Sequence, residues 1–524
     1  MSDGEQKCLD GEMSDKEQEC FDGEMSDKEQ ECFDGEMSDK EQECFDGESA
    51  VALVSELRAS FRSGKTRSYE WRVQQVKQLI KMIDEKEKEI MEALYADLAK
   101  PQFESYLHEI SLTRSEAKLV LKELKSWMKP EKVSSSLATF PSSAEIVSEP
   151  LGVVLVISAW NYPILLSLNP LIGAIVAGNA VVLKPSEISP ATSSLLATLI
   201  HEYLDNSAIR VVEGAVAETT ALLEQKWDKI MYTGNGKVGR IVMSAAAKHL
   251  TPVILELGGK CPVIIDSDIN LEVATRRIVV GKWGSNNGQA CIAPDYIITE
   301  KSNAPKVVES FKSTLEKFYG KDPFESKDLS RIVNSNHFAR LSNMLDDEKV
   351  CDKIVHGGQR DEKHLMIAPT LIQDAPMDSL VMSDEIFGPL LPIISVDKID
   401  ESFELINSRA KPLAAYLFTS DKKLEEKFVK SISAGGLLVN DTCLHLTISS
   451  LPFGGVGDSG IGAYHGKFSF DIFSHKKAVL RRSFGGDLSA RYPPYTPRKQ
   501  QFLKSLLALD ILGILLVLIG WTKN

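Results

Sequence analysis

The stretch NNGQACIAPDY (286–296) holds one cysteine, Cys291, among small and polar residues. A thiolate there could attack an electrophilic carbon. A thiol there could equally be a buried structural group, because cysteine is common in both settings. A nucleophile also needs a base, donors for a developing oxyanion and, for a redox reaction, an electron acceptor. Two other stretches bear on the acceptor. GNGKVG (Gly234, Asn235, Gly236, Lys237, Val238, Gly239) follows the strand-like DKIMYT and opens a helix-like run. Its main-chain N–H groups at a helix N-terminus could face a dinucleotide. The acid about 20 residues further on, Glu256, ends a strand that runs into LGGK, which argues against it as a ribose ligand. KPSE (184–187) is a better ribose site: Glu187 could accept from both hydroxyls and Lys184 could donate to ring oxygens. The alternative for KPSE is a helix start with an acid in its first turn.

Apolar periodicity supplies the elements that would position these groups. Residues 50–130 read as helices, with apolar residues three and four apart and Lys and Glu between them. Beyond Pro130 the texture changes. GVVLVIS (152–158) is a buried-strand run, PILLSLNPLIGAIVAG is helix-like, and the alternation continues through NAVVLK, DKIMYT and PVILEL. Strands alternating with helices predict βαβ units, so residues 49–257 are expected to form an α/β, doubly wound dinucleotide-binding domain. The pattern restarts at PVIID and gives a second α/β domain, 258–474, that carries Cys291. A cleft between the two would bring strand ends from both sides together.

A chain of 524 residues is too long for a single core. The net charge of −14 belongs to the N-terminus, where residues 1–48 are four copies of a 12-residue unit. The first copy carries −3 and the other three −4 each, so the remaining 476 residues carry about +1. On a helix the unit would rotate about 120° per copy, so its apolar residues never form a stripe. The repeats are therefore expected to be disordered. Their cysteines (Cys8, Cys20, Cys32, Cys44) match no metal spacing. The first residues lack an apolar leader, which predicts synthesis in the cytosol with reduced thiols. Nothing points to nucleic acid as a partner.

The C-terminus holds SLLALDILGILLVLIGW (505–521), preceded by Arg498, Lys499 and Lys504 and closed by Trp521 and Lys523. As one helix it would span roughly 25 Å, close to a bilayer core, with Asp510 near its start. It reads as a C-terminal membrane anchor holding the body on the cytosolic side, with the endoplasmic reticulum as the expected membrane. The alternative is a buried or dimer-packing helix on a soluble cytosolic protein.

SAWNYP (158–163), KPSE, ELGGK (256–260), GQAC (288–291) and DEIFGP (384–389) together resemble, in order, motifs of the aldehyde dehydrogenases. GQACIAPDY and LPFGGVGDSGIGAYHGKFSFDIFSHKKAVL (451–480) are similar to class 3, the branch that includes fatty aldehyde dehydrogenases. The resemblance covers residues 50–497. It implies NAD as cofactor, with NADP also accepted, and a homodimer built on a small strand-rich oligomerisation segment, placed at 131–150 and 475–497.

The resemblance also implies roles. Cys291 would attack an aldehyde, which has no leaving group, so that hydride can depart from a tetrahedral carbon. Glu256 would act as base, first toward the thiol and then toward the water that hydrolyses the thioester. Asn161 and the Cys291 N–H would form the oxyanion hole. Glu385 would bind the nicotinamide ribose and Phe387 would pack beside the ring. Tyr162, Tyr464 and His465 could line a substrate channel, or simply pack. The expected function is oxidation of medium- or long-chain aldehydes to acids. The alternatives are a CoA-acylating dehydrogenase and a membrane-tethered scaffold without catalysis. No metal is expected.

Overall fold

Continuous aliphatic runs, rather than alternating ones, mark strands buried on both faces, and such runs build the first sheet. Our computed structural model describes residues 45–134, 142–485 and 487–519. The sheet order is Gly460–Ile461, Val253–Leu257, Lys229–Gly234, Val153–Ile157, Ala180–Lys184, Ile209–Val211. All neighbours are parallel except Gly460–Ile461, which runs antiparallel to Val253–Leu257. Every residue of Val153–Ile157 and Ala180–Lys184 is buried. The helix Leu165–Ala177, buried at all its positions, packs against both strands. The order reverses at Val153–Ile157, and ligands of such sheets sit at the carboxyl ends beside that reversal.

The second sheet runs Ile354–His356, Thr370–Gln373, Leu390–Val396, Tyr296–Glu300, Pro262–Ile265, Ala414–Phe418, Gly436–Val439. Only its first pair is antiparallel. Its core holds Ile264, Tyr296, Phe338, Leu341, Leu417 and Phe428. Both sheets belong to one compact unit that starts at Asp46.

Ser142–Pro150 pairs antiparallel with Ser474–Arg482 and with Glu131–Val133, so segments far apart in the chain share a small third sheet. The strand ends at Arg482; beyond it the described residues of the segment 475–497 hold a short turn of helix, Ser489–Arg491, and the first residue of the helix Pro497–Leu507. Residues 135–141 of the 131–150 segment lie outside the described residues.

Both chain ends depart from expectation. Repeat residues 1–44 lie outside the described residues. The last copy nevertheless ends in ordered structure: Asp46 accepts from the Ser49 N–H at 2.9 Å and caps the helix Gly47–Arg62. The disorder expected over 1–48 therefore does not hold for Asp46, Gly47 and Glu48. At the other end the single helix expected over 505–521 is replaced by two, Pro497–Leu507 and Ile511–Leu518. Leu509 turns left-handed between them (φ +57°), and Asp510 caps the second helix by accepting from the Gly513 N–H at 2.9 Å. An acid that can satisfy a free helix end has no reason to continue the first helix. Arg498 donates to the Val517 and Leu518 carbonyls at 3.1 Å and folds the pair into a hairpin. Among the described residues no helix is long and apolar enough to cross a membrane. Trp521 and Lys523 lie outside the described residues.

Candidate active site

Cys291 lies between a short helical turn, Asn286–Gly288, and the strand Tyr296–Glu300. Asn286 and Asn287 are left-handed (φ +51° and +50°), a conformation costing an L-residue about 1 kcal/mol or more. Surrounding groups hold it. The Asn286 N–H donates to Glu104 at 2.7 Å, and the Asn287 amide to the Ser330 carbonyl at 3.0 Å. Gln289 donates to the Arg331 carbonyl at 2.9 Å and accepts from the Val333 N–H at 3.0 Å. A Cβ on Gly288 would lie 2.2 Å from the Gly388 carbonyl, so glycine is required there. From below, the Cys261 thiol donates to the Cys291 carbonyl at 3.4 Å and the Cys443 thiol to the Ile292 carbonyl at 3.5 Å.

Glu256 stands in Val253–Leu257, opposite Thr233 on one side and Gly460 on the other. It is 1% exposed, and neither carboxyl oxygen has a hydrogen-bond partner. Burial pushes its pKa up to about 7, although the nearby Cys291 thiol and Thr233 hydroxyl pull it down. Those two groups thus lie close without forming a bond of regular geometry. Cys291 stays partly open to the surface. Dense surrounding protein, and then the Glu256 carboxyl, hold its thiol well above the ordinary range.

Asn161 sits in the loop after Val153–Ile157. Its side-chain amide donates to the Gln289 carbonyl at 3.0 Å, and its own carbonyl accepts from the Asn286 amide at 2.9 Å. Asn161 and Cys291 are therefore held on one loop system, and Glu256 faces the same thiol.

GNGKVG forms the end of Lys229–Gly234 and the start of the helix Gly236–Ala247. Asn235 caps that helix itself, accepting from the Val238 N–H at 2.9 Å, so its amide oxygen is already occupied. Gly239 is where the helix meets the sheet: a Cβ there would lie 2.9 Å from Leu257. Lys237 is exposed. Lys184 is buried and donates to Glu187 at 2.8 Å, while the Glu187 side chain stays 43% exposed. A cavity of about 350 Å³ lies between the helix start and the second sheet, lined by Asn235, Gly236, Gly258, Lys260, Asp384 and Glu385. A Cβ on Gly258 would lie 2.3 Å from the Glu385 carboxyl, so the missing side chain opens the cradle. Polar walls, a glycine cradle and a ribose-type carboxylate at strand ends fit a dinucleotide.

Glu385 is pushed up to about 8, chiefly by burial, while the Gly259 N–H and Lys260 oppose the shift. Lys260 ties this loop to the strand ends, donating to Asp295 and to the Val381 and Asp384 carbonyls (2.7 and 2.9 Å). Phe387, left-handed at φ +48°, packs edge-on against Trp160 with ring centroids 5.4 Å apart.

Beside Cys291, Tyr162, Leu165, Leu166, Ala290 and Ala293 form an apolar cluster edged by Leu112 and Leu446. Tyr464 is buried, and its phenol is raised first by burial and then by the Glu256 and Cys291 charges, which places it near both. His465 is a packed histidine: it is 3% exposed, stacks on Phe453 at 5.1 Å, and is pushed by burial down to about 3. Among the described residues no cluster of His, Cys, Asp and Glu could hold a metal ion.

The sequence reading missed Lys100, Glu104 and Glu109, which touch the site from the segment 100–109, and the fully buried Lys282. Charged residues within amphipathic helical stretches carry no signal of burial.

The two-sheet architecture, with a cysteine, a buried carboxyl and a nucleotide cradle at the strand ends, defines an α/β oxidoreductase. The aldehyde dehydrogenase family model matches residues 37–479. The chain is 64% identical over 468 residues to aldehyde dehydrogenase family 3 member H1 of Arabidopsis thaliana, covering 89% of this chain and 97% of that one. It is 48% identical over 443 residues to the dimeric, NADP-preferring aldehyde dehydrogenase of Rattus norvegicus (84% and 97% covered). The substrate-bound AldH of Staphylococcus aureus superposes with a TM-score of 0.85 at 41% identity (87% and 99% covered). The Mycobacterium tuberculosis aldehyde dehydrogenase complexed with NAD+ does so at 0.76 and 26% identity (84% and 92% covered). The chain belongs to the aldehyde dehydrogenase family, whose members oxidise aldehydes with NAD(P).

Proposed function

We propose that the chain oxidises medium- and long-chain aliphatic aldehydes to free acids through a thioester on Cys291. One observation carries this reading: the unpartnered Glu256 carboxyl, poised near 7, faces the Cys291 thiol. Glu256 takes the thiol proton as sulfur adds to the carbonyl carbon. The Asn161 amide and the Cys291 N–H stabilise the oxygen that becomes negative. Bound NAD(P)+ supplies the acceptor for the hydride released as that oxyanion collapses to the thioester. Glu256 then releases that proton to solvent and, ionised again, takes one from the water that attacks the acyl carbon. This proton returns to the sulfur as the C–S bond breaks, releasing the acid and restoring the thiol.

Lys184 and Glu187 would hold one ribose and Glu385 the other, with Phe387 beside the nicotinamide. The helix start Gly234–Gly239 would flank the nucleotide. The apolar wall around Tyr162 and Leu166 supports aliphatic substrates. The exposed leucines of the C-terminal hairpin, among them Leu512 and Leu515, support contact with a membrane surface rather than a span. The dimeric rat relative and the exposed edge strand Ser474–Arg482 support a homodimer.

A turnover panel of aldehydes from two to sixteen carbons, with product identified as acid or acyl-CoA, tests the reading. Preference for long chains and release of free acid are expected. Equal preference for short polar aldehydes, or a strict requirement for CoA, would overturn it. The same panel after removal of residues 498–524 separates pocket selectivity from membrane delivery.

A further inference from the structure

Three ionisable side chains of the segment Lys100–Ile110 touch the site without taking part in the chemistry above. Lys100 is completely buried, and its ammonium has three partners. It pairs with Glu109 at 2.5 Å, donates to the Asn161 carbonyl at 3.0 Å, and lies 4.0 Å from the centre of the Tyr162 ring. Glu109 is equally buried. Its second oxygen accepts from the Ile164 and Leu165 N–H groups at 2.8 and 3.3 Å, at the start of the buried helix Leu165–Ala177. Glu104 accepts from the Asn286 N–H at 2.7 Å, and Asn286 in turn donates to the Asn161 carbonyl.

Two carboxylates five residues apart reach the two loops because the helix between them is irregular. In an α-helix they would point about 140° apart, since five residues advance about 500°. Ser105–Ile110 instead forms a π turn, whose i→i+5 bonding brings residues at that spacing to one side. An ion pair at this depth is costly unless its other donors and acceptors are satisfied. Here they are satisfied by the main chain of the loop that carries Asn161.

We infer that Lys100 and Glu109 are positioning residues for the oxyanion site. The pair fixes the main chain of residues 161–165, so that the Asn161 amide is held against the Cys291 loop. This rests on Asn161 being an oxyanion donor, as proposed above.

The test uses the full chain with Lys100→Met/Glu109→Gln, a neutral pair of similar shape that keeps an acceptor for Ile164 and Leu165. Three rates are compared. Aldehyde oxidation and cofactor-free hydrolysis of p-nitrophenyl acetate both form an oxyanion at Cys291; alkylation of Cys291 by iodoacetamide forms none. The first two are expected to fall roughly tenfold to a hundredfold in kcat, with KM within about threefold and the alkylation rate unchanged. In an Asn161→Ala background the substitution should add nothing further. Parallel loss of all three rates would indicate a merely structural pair and overturn the inference, as would unaltered ester hydrolysis. If Asn161→Ala itself leaves ester hydrolysis intact, it is the role of Asn161 that fails. Should the double variant not fold, Lys100→Gln, neutral but still a donor, is read by the same split.

Discussion

The Asn161 side-chain amide donates to the Gln289 carbonyl at 3.0 Å, which ties the loop after the central strand of the first sheet to the loop that carries Cys291. The proposed oxyanion donor and nucleophile are thus held together before any substrate arrives, and preorganised donors avoid reorganisation during the reaction.

Asn161→Ala is therefore expected to lower kcat for aldehyde oxidation by roughly 10²–10³ with little change in coenzyme affinity. Steady-state kinetics with a nucleotide titration checks this. A loss confined to KM would point to substrate binding instead.

Glu256 must be ionised to accept a proton, and burial holds it near 7. kcat/KM should fall about tenfold per pH unit below that value and level off above it. Glu256→Gln should remove this limb. NADH formation should slow because the thiol loses its base. Thioester hydrolysis should slow further, by roughly 10²–10⁴, so that about one equivalent of NADH per site forms ahead of the steady state. An unchanged limb in the variant would show that another group titrates.

The Glu187 carboxylate, partly exposed and held by Lys184, would repel a 2′-phosphate. Glu187→Gln should shift the kcat/KM ratio toward NADP by about tenfold, an electrostatic difference of about 1.4 kcal/mol. A ratio that does not move would place the adenosine ribose elsewhere.

Lys282 is fully buried, its ammonium has no hydrogen-bond partner, and burial lowers its pKa from 10.5 to about 8. Below about 8 it is charged in both folded and unfolded chains and carries the whole burial penalty. Above 10.5 it is neutral in both and the penalty disappears, so stability rises with pH between those values. Lys282→Met should stabilise the protein at pH 7 by on the order of 3 kcal/mol, with the gain shrinking as pH approaches 10. Denaturant unfolding at the two pH values measures this; a destabilised variant would mean that the charge has a partner.

Much of the architecture is legible in local sequence. Five of the first sheet's strands lie within apolar runs such as GVVLVIS and DKIMYT, because a strand covered on both faces has no polar side to interrupt it. The candidates Cys291, Glu256 and Asn161 were likewise marked by short motifs, GQAC, ELGGK and SAWNYP, through their resemblance to the aldehyde dehydrogenases.

Other features depend on contacts between distant segments. Nothing in KPQFESYLHEI separates Lys100, Glu104 and Glu109 from ordinary solvent-facing charges, because their burial is created by the loops at 161 and 286 packing over them. The union of Ser142–Pro150 with Ser474–Arg482 was expected only through the resemblance, which grouped 131–150 with 475–497, because strand pairing is a property of two segments and is written in neither. At the C-terminus composition suggested one apolar helix, yet Asp510 found a helix end to cap and divided it. Local periodicity and short motifs were enough to mark most strands of the first sheet and the residue types able to react. Which charges are buried, and what each reactive group faces, follows from the fold, because desolvation and hydrogen bonding depend on neighbours the chain supplies from elsewhere.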